Sequence, residues 1–352
     1  MTAPDPSRSG AVVFGLDTFG DVTVDHEGNL LPHHQVLRNV VEQAVLADEV
    51  GVDAFGVGEH HRDDFAVSAP DIVLAAAGSR TQRITLGTAV TVLSSDDPIR
   101  VYERFATLDA LTNGRAEVTL GRGSFTESFP IFGLDLSDYE ILFEEKLALF
   151  ARLREEQPVS FNGRTRLPLE PTQVYPTTER GRLNAWVGVG GSPESVIRAA
   201  RLGFPMMLAI IGGAPSRFAP YADLYRRALT ELGTQQLPIG VHSPGFVGAD
   251  DRKARDLLFP HFKVNRDRIG AERGWGPATR EQFEWEADEG ALFVGSPETV
   301  AQKIALTVTT LGISRFDLKY SNGTLPHEDM METIRLYGTE VIPRVRELLG
   351  EG

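Results

Sequence analysis

The stretch Phe55-Gly56-Val57-Gly58-Glu59-His60-His61 is an apolar run that ends abruptly in a carboxylate and two imidazoles. Imidazole is the one side chain that titrates near neutral pH without help, so this is where proton transfer is to be sought. Adjacent side chains in an extended segment leave on opposite faces, so only one of the two histidines is expected to face a site. Together with His33, His34 or His242, these residues could also offer nitrogen and oxygen ligands to zinc or iron. No His-x-His falls on a strand and no Glu-x-x-His or His-x-x-x-His marks a helix face, so no metal site is expected.

Two further clusters carry chemistry. Arg122 lies between glycines in Leu120-Gly121-Arg122-Gly123, where a guanidinium can reach an anion or a polar ring edge, or simply form a surface ion pair. In Gly188-Val189-Gly190-Gly191-Ser192-Pro193-Glu194, Ser192 is a good N-cap and Pro193 suits the first helical position. The glycines let backbone amides come close to a ligand, and amides at a helix start attract phosphate. Gly295-Ser296-Pro297-Glu298-Thr299 repeats the cap, so the cap alone does not define a site. Its position after an inner strand favours the first copy.

These residues need a frame, and the alternation of apolar runs with helix-period segments supplies one. Strands are expected over residues 11–17, 53–59, 84–93, 116–121, 183–189, 206–211, 239–247 and 315–320. The intervening helices are expected at 34–50, 70–80, 98–111, 139–155, 194–202, 219–232, from 250 onward, and at 328–348. A hairpin with Asn162-Gly163 at its turn interrupts the series between Val159 and Tyr175. Eight strand-then-helix units imply a parallel sheet covered on both faces, and a single closed (β/α)8 barrel over 11–352 is the economical reading. The insertions then fall at about 159–176 and 250–295. A doubly wound open sheet is the alternative, but it has an early Gly-rich phosphate turn that this chain lacks.

A barrel of this kind keeps its active site at the carboxyl ends of the strands. That selects Thr18 and Phe19, His60 and His61, Ala89 and Val90, Arg122 and Ser124, Gly190 to Ser192, Gly212 and Gly213, and His242 within the seventh strand. A mobile lid is expected at about 263–290, because Arg268 to Pro277 holds three glycines and a proline.

Composition narrows the functions further. With 41% hydrophobic and 24% charged residues the chain can bury a large core, and its net charge of −14 repels phosphate backbones and anionic lipid. Nucleic-acid and membrane-surface roles are not expected. The absence of cysteine excludes disulfides, thiolate metal sites and cysteine nucleophiles. The first ten residues are rich in Pro, Ser and Thr, read as a flexible end, and lack a secretory apolar stretch. No apolar run approaches the roughly 18 residues of a membrane span, and the cytoplasm is the expected location.

The ordered set Gly58-Glu59-His60-His61, Ile84 to Leu93 with Asp97-Pro98, Asp109 to Arg115, Leu120 to Gly123 and Val294 to Glu298 resembles the bacterial luciferase-like, flavin-dependent monooxygenase family from about residue 12 to 348. The resemblance implies a (β/α)8 barrel that uses reduced FMN and dioxygen to oxygenate a small organic substrate. It makes His60 the catalytic histidine and Ala89 and Val90 a pair joined by a non-prolyl cis peptide beside the flavin ring. It places Arg122 and Ser124 by the ring and ribityl chain, and Gly190, Gly191 and Ser192 at the phosphate, while Gly213 after the sixth strand is a further cofactor-binding candidate. Gly121 stands where light-emitting members carry a reactive cysteine, so light emission is not implied. No nicotinamide domain is visible, which points to a separate flavin reductase, and the family implies a homodimer through the second and third barrel helices, where Ala75 to Gly78 offer a small-residue face. Deazaflavin-dependent hydride transfer on the same barrel and a non-catalytic flavin-binding protein are the alternatives.

Overall fold

The computed structural model describes residues 11–123 and 125–351. Its strands are β1 (Val13–Thr18), β2 (Ala54–Val57), β3 (Thr85–Thr88), β4 (Thr91–Val92), β5 (Glu117–Gly121), β6 (Val159–Phe161), β7 (Leu169–Thr172), β8 (Asn184–Val189), β9 (Met206–Ala209), β10 (Ile239–Val247), β11 (Phe293–Gly295) and β12 (Arg315–Lys319). The helices are α1 (His33–Glu49), α2 (Pro70–Gly78), α3 (Pro98–Leu111), α4 (Ser128–Ile131), α5 (Tyr139–Leu153), α6 (Pro193–Arg201), α7 (Ala219–Glu231), α8 (Asp251–Arg273), α9 (Arg280–Asp288), α10 (Pro297–Leu311), α11 (His327–Leu336) and α12 (Ile342–Leu349).

The sheet runs β3-β2-β1-β12-β10-β9-β8-β5-β4, all in parallel pairs. A bridge between Leu86 and Ala116 brings β3 back to β5 and closes the barrel. At that seam the Thr88 hydroxyl takes over the ladder, donating to Thr119 O and accepting from Thr119 N, both at 3.1 Å. The (β/α)8 barrel expected from the alternation is therefore the fold. Its strands bury their outward faces, such as Phe14, Leu16, Val118 and Phe316, under the surrounding helices.

Four local expectations change. The expected strand over 84–93 breaks into β3 and β4 at the Ala89–Val90 peptide, which is cis. The hairpin forms, but residues 162–168 make a longer connection than a two-residue turn, because the Glu145 carboxylate of α5 accepts from Arg164 N (2.8 Å) and Thr165 N (2.8 Å). The last helix is interrupted by a π turn at Tyr337–Val341. Residues 263–290 are mostly helical rather than an irregular loop. Asp250 caps α8 and Gly274, with φ 72°, ends it, while Thr279 and Gln282 form a capping box on α9.

The inner face of the barrel is unusual in being charged. Asp17, Glu117, Arg315 and Asp317 all lie inside, and glycines make the room. A Cβ on Gly15 would sit 2.2 Å from Asp317 Oδ1, one on Gly56 2.0 Å from Asp17 Oδ1, and one on Gly87 2.7 Å from Glu117 Cγ. Overpacking such a site costs roughly 1–3 kcal/mol. Gly56→Ala should therefore lower unfolding free energy by about that amount in guanidinium titrations. Gly190→Ala, which meets nothing within 4 Å, should stay within about 0.5 kcal/mol of the parent.

Candidate active site

The loop after β2 carries Glu59, His60 and His61, and its backbone is tied on both sides. Glu59 N donates to Val90 O at 3.1 Å and His60 N to Val67 O at 2.9 Å. The buried Glu59 carboxylate accepts from Val92 N (2.8 Å) with one oxygen and meets His61 Nε2 at 2.9 Å with the other. Glu59 thus brackets the cis Ala89–Val90 peptide and orients His61 at the same time. His61 turns outward, with its ring edge on Phe132 at 5.1 Å, toward a cavity of about 250 Å³ that Asp96 and Arg104 also line.

His60 goes the other way. Its ring meets Phe65 at 4.4 Å, Phe19 at 4.9 Å and Phe125 at 5.2 Å between centroids. In this phenylalanine cage desolvation pushes the His60 imidazole down to about 3, partly countered by Asp21 and reinforced by Lys319 and Arg62. The hydrogen bond to Glu59 holds His61 up, against the effect of its own burial. The adjacent histidines are thereby shifted in opposite directions: His60 is held as a neutral imidazole, while the protonated form of His61 is stabilised.

A second polar group lies behind Phe19. His242 of β10 meets Asp17 Oδ2 of β1 with Nδ1 at 2.6 Å, and its ring stacks on Phe19 at 5.8 Å and 11°. Lys319 of β12 lies 4.7 Å from the centroid of the same phenyl ring. It pairs with Asp21 (3.0 Å), which also accepts from Ser321 Oγ at 2.5 Å. Deeper in the barrel Arg315 bridges Asp317 (2.9 Å) and Glu117 (2.6 Å). Burial pushes the Asp317 carboxyl up to about 7 against the pull of Arg315, and nearby Asp17 pushes the same way.

The remaining sequence-derived candidates divide. Arg122 pairs with Glu140 of α5, and the same carboxylate takes Arg198 at 3.5 Å, so its guanidinium is engaged in an ion pair at the rim. The resemblance alone gave no sign of that partner. Ser124 lies outside the described residues. Gly190 is exposed, and Ser192 caps α6 by accepting from Ser195 N at 3.2 Å. The second cap differs in one respect that decides between the copies. At Ser296 the Asp251 carboxylate accepts from Ser296 N (2.6 Å) and from Thr299 Oγ1 (3.0 Å), so that helix start already holds an anion of its own. The first copy presents an open glycine instead, and its amides fit a phosphate. Gly213, expected at the cofactor, donates its N–H to both oxygens of Glu286 from α9 (3.1 and 3.2 Å), so its amide is not available as it stands. No short-range pattern signals that contact.

The carboxyl-terminal end of α8 lies over the His60 loop. Arg62 makes two bonds to Glu272 (2.9 and 2.6 Å), Arg268 pairs with Asp63 and Asp64, and both Arg62 and Arg273 stack on Phe125. The region expected to be a lid is thus a helical strap fastened by ion pairs. A larger cavity, about 500 Å³, opens at the other end of the barrel among Arg115, Arg154, Arg182 and Trp186. Its cations are largely engaged: Arg115 donates to Ile84 O (2.8 Å) and Thr112 O (2.9 Å), and Arg182 pairs with Glu155 (2.7 Å). The amino-terminal end of such a barrel serves stability, which agrees with those bonds.

The (β/α)8 barrel thus sets a caged histidine and an open helix cap at its strand ends, where such barrels keep their active sites. Residues 18–315 match the family model for luciferase-like monooxygenases, and the chain belongs to that family. It is 25% identical to the alkanal monooxygenase alpha chain of Photorhabdus laumondii, over 94% of this chain and 98% of the relative. The monooxygenase RslO1 of Streptomyces bottropensis superposes with a TM-score of 0.81 at 24% identity, over 94% of this chain and 99% of that one. The oxygenating constituent of 3,6-diketocamphane monooxygenase from Pseudomonas putida, solved with FMN, gives 0.75 at 18% identity, over 95% and 99%. An F420-dependent secondary alcohol dehydrogenase gives 0.75 at 19%, over 96% and 99%. The chain is an enzyme of the luciferase-like monooxygenase family, and its fold is shared by one protein solved with FMN and by another that depends on F420.

The opposed histidines have a measurable consequence. A folded His60 titrating near 3 means that the unfolded chain binds the extra proton between about 6.5 and 3, so its contribution falls as pH falls through that window. His61, raised above 6.5, contributes below that value and loses the contribution as pH rises through its folded pKa. Thermal melts at pH 5.5 and 8 should show His60→Gln relatively less damaging at pH 5.5 and His61→Gln relatively more damaging there. The same ranking for both variants would contradict these environments.

Proposed function

We propose that this chain is an FMN-dependent monooxygenase which takes reduced FMN from a separate flavin reductase, and dioxygen, to oxygenate a small organic substrate. The observation that carries this reading is the contrast between the two helix caps, one filled by Asp251 and one open at Gly190. In this reading Gly190, Gly191 and Ser192 hold the phosphate, the Ala89–Val90 peptide forms a wall for the ring, and Arg122 and Ser124 flank the ring and ribityl chain. Gly213 joins the cofactor contacts only if Glu286 yields its amide. The bound reduced flavin supplies the electrons that activate dioxygen.

The chain's own residues supply the setting. His60 offers a hydrogen bond without a charge, since its cage of Phe19, Phe65 and Phe125 disfavours imidazolium. Those rings and the α8 strap keep water from the reacting centre. A homodimer fits the second and third barrel helices only in part. Ala77 and Gly78 face the chain's own core, leaving Ala76, Ile72 and Leu111 as the outward surface.

The test of the cofactor is an anaerobic titration with reduced FMN and with a reduced deazaflavin, followed by air. Reduced FMN should bind and be reoxidised with substrate oxygenation; tight binding of the deazaflavin alone would give the hydride-transfer reading. Gly190→Asp should weaken FMN binding at least tenfold through charge repulsion, and leave riboflavin, which lacks the phosphate, unchanged. Equal loss for both ligands would remove the cap from the phosphate site. Light scattering should find a dimer that Ile72→Asp converts to monomer.

A further inference from the structure

We propose that His242, oriented by Asp17, is a second catalytic residue that accepts a proton from the substrate, and that the substrate accordingly bears an ionisable hydroxyl, phenolic or enolic. The proposal rests on the reading of the carboxyl-terminal barrel mouth as the active site and extends it to a substrate class.

The geometry is that of an imidazole prepared for proton uptake. The 2.6 Å contact between His242 Nδ1 and Asp17 Oδ2 makes the carboxylate the acceptor, so Nδ1 carries the proton and Nε2 keeps its lone pair. Both residues stand on barrel strands with side chains no more than 8% exposed, which holds the ring in one orientation. Among the described residues Nε2 has no hydrogen-bond partner, yet it is not one of the sealed, unpartnered buried atoms. Nε2 is therefore the ring nitrogen left unengaged.

The surrounding charges are committed elsewhere. From β12, Lys319 pairs with Asp21 and Asp317 with Arg315; from β1, Asp17 is the partner of His242 itself. From the loop after β2, the His60 imidazole has three phenylalanine rings against it. One phenyl ring, Phe19, separates the two histidines, stacked on His242 and edge-on to His60. A proton arriving in this region gains nothing at His60, where no carboxylate is in contact. At Nε2 it creates an imidazolium whose other N–H already donates to a carboxylate.

The step balances without any redox partner. The substrate O–H bond breaks, an Nε2–H bond forms, and both electrons of the O–H bond stay on oxygen as a phenolate or enolate. The proton returns to an oxygen of the product when it leaves. Ionisation enriches the carbon conjugated with that oxygen, which is the position an electrophilic oxygen donor attacks. The flat aromatic walls Phe19, Phe65 and Phe125 suit a planar substrate of this kind.

The test uses the whole chain and needs no flavin in its first two arms. In nitrogen NMR of the histidine-labelled protein, His242 should show a protonated Nδ1 and an unprotonated Nε2, and Asp17→Asn should lose that tautomer preference. 4-Nitrophenol, at a pH one unit below its solution pKa, should bind with the spectrum of its phenolate. His242→Gln and Asp17→Asn should each bind it as the neutral phenol, and 4-nitroanisole should bind no differently to parent and variants. In turnover with a phenolic substrate the variants should lose roughly 10²- to 10⁴-fold in kcat, with the pH profile of kcat displaced. A phenolate spectrum that persists in both variants, or failure of the parent to bind the phenol, overturns the proposal. Reduced-FMN titration of the same proteins reports separately on the parent reading, because that reading fails if FMN does not bind while the phenolate arm is unaffected.

Discussion

Eight strands closed on themselves enclose a space that water scarcely reaches, and in this chain that space is charged. An unpaired ion there would cost several kcal/mol, so each must find its counterion within the barrel. Arg315 reaches Glu117 across the interior, Lys319 reaches Asp21 beyond the end of β1, and His242 reaches Asp17 over the intervening β12. Such pairs add little net stability against a hydrocarbon core, but each is satisfied in only one register. Slipping β12 by one residue would turn Arg315, Asp317 and Lys319 outward against apolar helices. The glycines at 15, 56 and 87 belong to the same constraint, since each yields its Cβ position to an acid from a neighbouring strand.

From that register the two ends of the barrel acquire different characters. At the amino-terminal end the arginines bond to backbone carbonyls and acids, and Arg115 alone ties the end of α2 to the starts of β3 and β5. At the carboxyl end the His60 imidazole is set among phenylalanines, and a Cβ on Gly190 ahead of α6 would meet nothing. Binding chemistry fits the second arrangement better than the first, even though the larger cavity is at the amino-terminal end. Volume measures room, whereas a site needs polar groups whose bonds are not already made.

Features encoded locally were legible in the sequence. The strands, the proline-led starts of α3 and α6, and the paired serine caps all follow from patterns within ten residues. The break between β3 and β4 was legible only through family resemblance, because nothing in Thr88-Ala89-Val90-Thr91 itself demands a cis bond. What escaped were partners distant in sequence. Glu140 for Arg122, Glu286 for Gly213 and Asp251 for Ser296 are separated by 18, 73 and 45 positions. The strap over the mouth escaped for another reason. Its glycines suggested an irregular loop, while the ion pairs from Arg62 and Arg268 that secure it as helix come from both sides of a long-range contact.

His242 shows how a residue can be visible without being interpretable. Its place within the seventh strand made it a candidate and no more. Its meaning depended on Asp17, 225 positions away, meeting it over the strand that lies between them. The pair of histidines at 60 and 61 carries the converse lesson. Their identity drew the eye first, yet two neighbours of identical chemistry are shifted in opposite directions because one meets phenylalanine and the other glutamate. Residue type sets what a group can do; the surroundings decide which of those things is cheap. By that measure the mouth of this barrel separates two tasks that one histidine performs poorly at once: holding a neutral hydrogen bond in a dry pocket, and accepting a proton beside a carboxylate.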